Sequence, residues 1–260
     1  MENKVVLILV DGMRPDAVLT CENSYLRDLR AEATHCFSTD TVFPSVTLPC
    51  HTSLFLGVDP TRHGITTNFW MPPVRPIDGI FEVVNRVGKK CAMFCNWQQL
   101  RDLGRPDSMS MAYLYRQSQD TQTEWANEDR MTEMTIDYIK SEEPDFIFLY
   151  LGCVDEVGHR TGWMNEEYLQ TVSHAGECIK RVVDSLPENY QVIITADHGG
   201  HDRSHGTEMP EDMTIPLLCI GTAFEKGKAL EKANIKDIAP TIAKLLNAQP
   251  AIEWAGTSIV

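Results

Sequence analysis

The sequence is short of positive charge. Its 260 residues carry 23 Lys and Arg against 37 Asp and Glu, a formal net charge of −14. A protein that grips a nucleic-acid polymer neutralises phosphates with a basic face, and a polybasic membrane anchor needs the same cations. Neither partner is expected here. No apolar run reaches the roughly 18 residues of a membrane-spanning helix. The N-terminal stretch MENKVVLILVDGMRPD is not read as a signal peptide, because its apolar run is short and ends at Asp11 without a small-residue cleavage site. Internal repeats, low-complexity segments and CxxC pairs are all missing. The eight cysteines are scattered. Scattered thiols without a leader point to a reducing, cytoplasmic setting and to buried, inert side chains. No cysteine is assigned to catalysis or to metal.

What is present is an alternation of short apolar runs with helical periods. Residues 5–10 (VVLILV), 91–95, 146–151 (FIFLYL), 191–196 (QVIITA) and 217–220 read as strands, the longer runs buried on both faces. Helices are predicted over 23–33, 49–56, 80–87, 124–140, 166–186 and 238–246. Asn23 or Ser24 caps the first, and Pro49 suits the opening turn of the second. Strands alternating with helices predict an α/β fold with a mostly parallel central sheet and helices on both faces. The whole chain, 1–260, is expected to form a single domain. Residues 71–76 and 101–122 are the least regular and are expected to be loops or a small excursion near the site.

Ligands of open α/β sheets bind beyond the carboxyl ends of the strands. Asp11 directly follows the first strand. Asp155 lies four residues past FIFLYL, and His159 four beyond that. Asp197 and His198 follow QVIITA, with His201 and His205 in the same loop. Three carboxylates gathered together repel unless a cation holds them, and Asp with His is a ligand set for zinc or a similar metal. Six such residues can supply two metals, a clamp for in-line displacement at phosphorus. Any one of them alone reads equally as a cap or a satisfied polar residue; the joint pattern does not. Thr47 sits at a probable helix start, where backbone N–H groups can face an anion. It reads as a nucleophile or as a plain N-cap.

These residues resemble the nucleotide pyrophosphatase/phosphodiesterase branch of the alkaline phosphatase superfamily. The resemblance rests on Asp11–Gly12, on Thr47 with Pro49, His51 and Ser53, and on His63–Gly64–Ile65 with Asn68. It continues through Asp155 with Gly158–His159, Asp197–His198–Gly199 and His205–Gly206, all in family order. It implies an alkaline phosphatase-like fold and two zinc ions, with Mn²⁺ or Fe as alternatives. Asp155, His159 and His205 would hold one ion; Asp11, Asp197, His198 and the Thr47 oxygen would hold the other. Thr47 would be the nucleophile of a double displacement through a phosphothreonine. Asn68 would donate to a phosphoryl oxygen beside a backbone N–H near Leu48. The implied substrate is a small phosphodiester or pyrophosphate.

Leu48 stands where the family usually has the Phe that helps hold a base, and Cys50 where it has Asn. A monoesterase or phosphonate hydrolase of the superfamily would add a cation near the phosphate; Arg14, Lys89, Lys90, Arg101, Arg105 and Arg203 are the candidates. The C-x-P-x-R signature of sulfatases is missing after Cys50. A phosphoglycerate mutase would usually carry a Ser nucleophile and a large inserted domain. A metal-binding protein without turnover is the non-enzymatic alternative. His63 reads as structural or as a contact to the ligands, and His201 as a contact to the ligands or to its own loop.

Overall fold

The computed structural model describes residues 2–115 and 120–260. Its central strand, β1 (Lys4–Val10), is the VVLILV run, buried from Val5 onward. A strand covered on both faces needs apolar side chains at every position, not at alternate ones. Two strands of the same kind flank it in parallel: β5 (Phe146–Leu151) on one side and β6 (Tyr190–Thr195) on the other. Beyond β5 lie β3 (Cys91–Cys95) and the edge strand β4 (Met111–Leu114). Beyond β6 lie β7 (Thr214–Ile220), β2 (Thr34–Asp40) and the two-residue β8 (Ala233–Asn234).

The sheet is mixed where the sequence pattern predicts a parallel strand. β7 covers the strand expected at 217–220, starts three residues earlier, and runs antiparallel to both β6 and β2. Two reversals restore the direction, so β2 points the same way as β6. The carboxyl ends of β1, β2, β5 and β6 therefore open on one edge. β2 escaped the sequence reading because THCFSTD mixes polar and apolar residues without an unbroken apolar run. β4 lies within the segment expected to be irregular, as does part of a short 3-10 turn, Gln98–Leu103. Residues 116–119 of that segment lie outside the described residues.

Two groups of helices cover the sheet. One comprises α1 (Pro15–Thr20), α2 (Ser24–Glu32), α6 (Thr121–Glu142), α7 (Cys153–Thr161) and α8 (Glu166–Ser185). The other comprises α3 (Thr47–Leu56), α4 (Pro60–His63), α5 (Ile80–Arg86) and α10 (Ile238–Leu245). The one-turn α9 (Pro210–Met213) precedes β7. Asn23 caps α2 by accepting the Leu26 N–H at 2.9 Å, and Asn165 caps α8 from Tyr168. α8 buries a helical stripe through Tyr168, Val172, Ala175, Ile179 and Val182 against the core. All ten residues of α3 are buried, and its polar Thr47, His51, Thr52 and Ser53 each find a hydrogen-bond partner there. No helix among the described residues is long and apolar enough to cross a membrane.

Candidate metal centre

The sheet edge collects the candidate residues. Asp11 follows β1 and Asp197–His198 follow β6. Asp155 and His159 stand one turn apart on α7, which begins just after β5. His205 lies in the loop after β6, and Thr47 opens α3 after the loop from β2. Thr47 is the first helical residue and Val46 the N-cap, so the N-cap alternative for Thr47 is corrected.

Two glycines allow these loops to close. Gly12 adopts a left-handed φ of +67°, and a Cβ there would stand 3.1 Å from Asp155. Its N–H donates to Asp197 Oδ1 at 3.2 Å. A Cβ at Gly199 would stand 2.0 Å from the Glu211 carbonyl oxygen, so only glycine lets the loop after His198 reach that backbone.

The donor atoms form two groups. His198 Nε2 lies 3.3 Å from each of Thr47 Oγ1, Asp11 Oδ1 and Asp197 Oδ2. His159 Nε2 lies 3.4 Å from Asp155 Oδ2 and 3.1 Å from His205 Nε2, which is 3.7 Å from Asp155 Oδ1. Donors about 2.0–2.1 Å from a tetrahedral ion stand about 3.3 Å from one another, so both groups have the spacing of a ligand shell. His198 also lies within 4.8 Å of the ligand atoms of Asp155 and His205, so the groups adjoin.

The histidines are oriented alike. His198 Nδ1 contacts Gly199 O at 2.8 Å, His205 Nδ1 contacts Ser45 O at 2.8 Å, and His159 Nδ1 contacts Arg203 O at 3.0 Å. A carbonyl only accepts, so each Nδ1 carries the proton and each Nε2 turns a lone pair inward. Buried Asp11 Oδ1, Asp155 Oδ1 and Asp197 Oδ2 have no hydrogen-bond partner. Bare carboxylate oxygens and bare imidazole nitrogens facing one another fit a divalent cation.

The electrostatics agree. Burial, then repulsion from neighbouring carboxylates, pushes Asp11 and Asp155 well above the ordinary carboxylate range. Burial works against the charge of Asp197 too, but His198, His51 and the Gly12 N–H together hold it low. Burial lowers His205 to about 3, so it stays neutral, as a ligand must.

Asn68 Oδ1 accepts the Leu48 N–H at 2.9 Å. A backbone N–H can only donate, which fixes the amide and leaves Asn68 Nδ2 as the free-facing donor. The Leu48 N–H itself is engaged by this bond. His63 is buried, contacts Ser53 Oγ at 3.0 Å and accepts the Ile65 N–H, apart from both donor groups.

Three residues gain a role only from the structure. His51 Nδ1 donates to Thr47 O at 2.8 Å and sits 3.4 Å from Asp197 Oδ2. Its i+4 spacing from Thr47 was the available signal. The Tyr150 hydroxyl donates to Asp11 Oδ2 from within β5, where it read only as a strand residue. Asp212 accepts from His201 Nδ1 at 2.7 Å and from Thr207 N and Oγ1, tying together the loop that carries His205.

His201 is thus a loop contact, and its pairing has a pH signature. The Asp212 hydrogen bond raises His201 above the ordinary imidazole value. Burial opposes ionisation of Asp212, yet His201 and Thr207 hold it below its own. The raised His contributes fully below about pH 6.5 and loses that contribution as pH rises through its folded value. The depressed Asp contributes above about pH 3.9 and loses it as pH falls through its folded value. Thermal melts of wild type and His201→Asn should therefore differ most between about pH 4 and 6.5, by no more than about 1 kcal/mol. A gap that stays constant up to pH 9 would count against the pair.

Fold and centre together define a member of the metalloenzyme superfamily with an alkaline phosphatase-like fold and with residue groups that suit divalent metal ions. The model of the metalloenzyme superfamily matches residues 113–250, and the chain belongs to that superfamily. The model of type I phosphodiesterase / nucleotide pyrophosphatase matches residues 5–99. The first match contains Asp155, His159, Asp197, His198 and His205; the second contains Asp11, Thr47 and Asn68.

Curated relatives include two 2,3-bisphosphoglycerate-independent phosphoglycerate mutases. The one from Clostridioides difficile is 29% identical over 137 residues, and mutase 2 of Methanosarcina acetivorans is 33% identical over 135. Each match covers 50% of this chain and 26% of the relative, so the shared part is about a quarter of those proteins. Among solved structures, human ectonucleotide pyrophosphatase / phosphodiesterase 5 superposes with a TM-score of 0.81 at 17% identity, over 98% of this chain and 97% of the other. The murine protein, as an inactive threonine-to-alanine variant in complex with AMP, gives 0.79 at 17% identity over 96% of both. The phosphonate monoester hydrolase of Agrobacterium radiobacter gives 0.78 at 13%, over 99% of this chain and 76% of that one. These likenesses are of fold.

Proposed function

We propose that residues 1–260 form one catalytic domain that hydrolyses small phosphodiesters or pyrophosphates through a phosphothreonine on Thr47. The observation that carries this is the placement of the Thr47 hydroxyl, 3.3 Å from His198 Nε2 in the buried group with Asp11 and Asp197. A threonine placed only to cap a helix has no need of that company. Asp11, Asp197, His198 and Thr47 would hold one zinc, and Asp155, His159 and His205 the other; Mn²⁺ or Fe suits the same donors. The metals would supply Lewis acidity, activating the attacking oxygen and stabilising the leaving one.

The chain's own part follows from the geometry. Thr47 Oγ1 gives up its proton to solvent and bonds to phosphorus as the bond from phosphorus to the leaving oxygen breaks on the opposite side, and the leaving oxygen takes up a proton from solvent. Water then cleaves the phosphothreonine and frees the hydroxyl. His51 holds the Thr47 carbonyl and Asp197 in register, and Asn68 Nδ2 donates to a non-bridging oxygen.

Diesters are preferred because five of the six candidate cations are engaged elsewhere. Arg14 pairs with Asp16, Lys89 with Glu2 and Asp145, Lys90 with Glu142, Arg101 with Asp102 and Arg105 with Asp78. A monoester's additional negative charge asks for a free cation. The names of the human and murine relatives and the AMP complex support a small nucleotide-like ester. A second reading, turnover of a monoester as the mutase likeness suggests, rests on Arg203. Its carbonyl holds His159, and its side chain is exposed and has no ion-pair partner among the described residues. The eight buried, unpaired cysteines support a cytoplasmic setting.

The deciding measurement compares bis-p-nitrophenyl phosphate with p-nitrophenyl phosphate on metal-reconstituted protein. Higher kcat/KM for the diester, by about tenfold or more, is expected. Equal or faster monoester turnover would move the assignment to the second reading, and no turnover of either would favour a metal-binding protein.

A further inference from the structure

Another set of ligand-type side chains lies between α6 and α8, two helices that contribute nothing to the centre described above. His174 and Cys178 are one turn apart on α8, which puts them on the same face. Asp129 faces them from α6. Cys178 Sγ lies 3.7 Å from His174 Nε2 and 3.9 Å from Asp129 Oδ1, and all three ligand atoms fall within 4.8 Å of one another. A tetrahedral ion with a sulfur at about 2.3 Å and a nitrogen at about 2.0 Å sets those two atoms about 3.5 Å apart. The two distances from sulfur are thus within a few tenths of an ångström of those of a ligand shell.

The imidazole is held in place for the task. The His174 ring stacks flat on Trp125, with centroids 4.9 Å apart and planes 7° from parallel. The Trp125 backbone also hydrogen-bonds to it. A ring oriented by its neighbours in this way is the usual state of a metal-binding histidine.

Charge can also be matched. Arg181 bonds to Asp129 Oδ1 at 2.6 Å and to Glu133 at 3.0 Å. With Cys178 as thiolate, the negative charges of Asp129, Glu133 and Cys178 equal those of Arg181 and a divalent ion. The Asp129 side chain is 45% exposed, which leaves a path for the ion and for a water at the fourth position.

We infer that Asp129, His174 and Cys178 form a structural divalent-metal site of the zinc type, distinct in every ligand from the phosphoryl-transfer centre. On binding, the Cys178 S–H bond breaks, its proton leaves to solvent, and the sulfur bonds to the metal; nothing is oxidised or reduced. The ion staples α6 to α8, the helices against which α7 packs. This revises the expectation that no cysteine binds metal. The 49-position separation of Asp129 and Cys178 conceals the site from a reading of local spacing.

Cobalt separates this site from the other. No candidate residue of the phosphoryl-transfer centre is a cysteine, so a thiolate-to-cobalt charge-transfer band in the near ultraviolet reports on Cys178. Titration of the full-length protein with Co²⁺ should produce that band, saturating at one thiolate-bound ion per chain and lost on adding Zn²⁺. Cys178→Ser should abolish it and lower bound zinc by one equivalent in elemental analysis, whereas Thr47→Ala should retain it. His174→Ala should act like Cys178→Ser, and serves in its place if that variant does not fold. Absence of the band in wild type, or its persistence in Cys178→Ser, would overturn the site.

Discussion

Thr47→Ala should lower kcat/KM on the diester by at least about 10⁴-fold while leaving the fold and the bound metal in place. Loss of a nucleophile in a hydrolase that works by covalent transfer costs on that order or more, because the remaining groups cannot supply the missing bond. The structure limits the collateral damage. Thr47 is the first residue of α3, its hydroxyl hydrogen-bonds only to His198 among the described residues, and alanine is a good helix former. Asp11, Asp197 and His198 remain to hold an ion. Thr47→Ser keeps a hydroxyl at the same position and should recover much of the rate. The measurements are steady-state kinetics beside elemental analysis of both variants. Full activity in Thr47→Ala with metal bound would remove Thr47 from the mechanism.

Chelation should lower the melting temperature by roughly 10 °C at neutral pH, and Zn²⁺ should restore it. Asp11, Asp155 and Asp197 are buried, and each presents an oxygen with no hydrogen-bond partner to the same small space. Stripping the counter-charge from a buried ionic cluster costs about 3–5 kcal/mol. A chain of this length shifts by about 2–4 °C per kcal/mol. Differential scanning fluorimetry with and without chelator reads the shift. Repeating it in Cys178→Ser isolates the centre at the sheet edge, where most of the effect should remain. An unchanged melt would mean that the carboxylates need no cation, and the metal reading would fall.

The continuous apolar runs made the middle of the fold legible. VVLILV, FIFLYL and QVIITA became three adjacent strands, and the residues after them arrived on one edge as strand-end placement requires. The direction of β7 was not legible. Its burial pattern is that of any core strand, and direction depends on the chain's path through α9 rather than on local periodicity. β2 was hidden by its polar residues, although it is what brings the segment carrying Thr47 to the site. In the centre, residues grouped in short motifs were readable by spacing. Tyr150 and Asp212 were not, because what they do depends on partners 139 and 11 residues away. The state of the Leu48 N–H was likewise invisible, since sequence shows that a donor exists but not whether it is already spent.

The central position of β1 has a consequence for what can evolve at this centre. Asp11, Asp155 and Asp197 are delivered from three neighbouring strands in one hydrogen-bonded ladder, whose pitch is about 4.8 Å. The sheet works as a ruler for Asp11 and Asp197, and it sets where α7, which starts just after β5, brings Asp155 and His159 beside them. Changing a ligand can retune affinity or metal preference, but it leaves the span across which an attacking and a departing oxygen must fit. New specificity is therefore left to the rim, in the segments after β2 and β3, while the span itself stays as constant as the ladder beneath it.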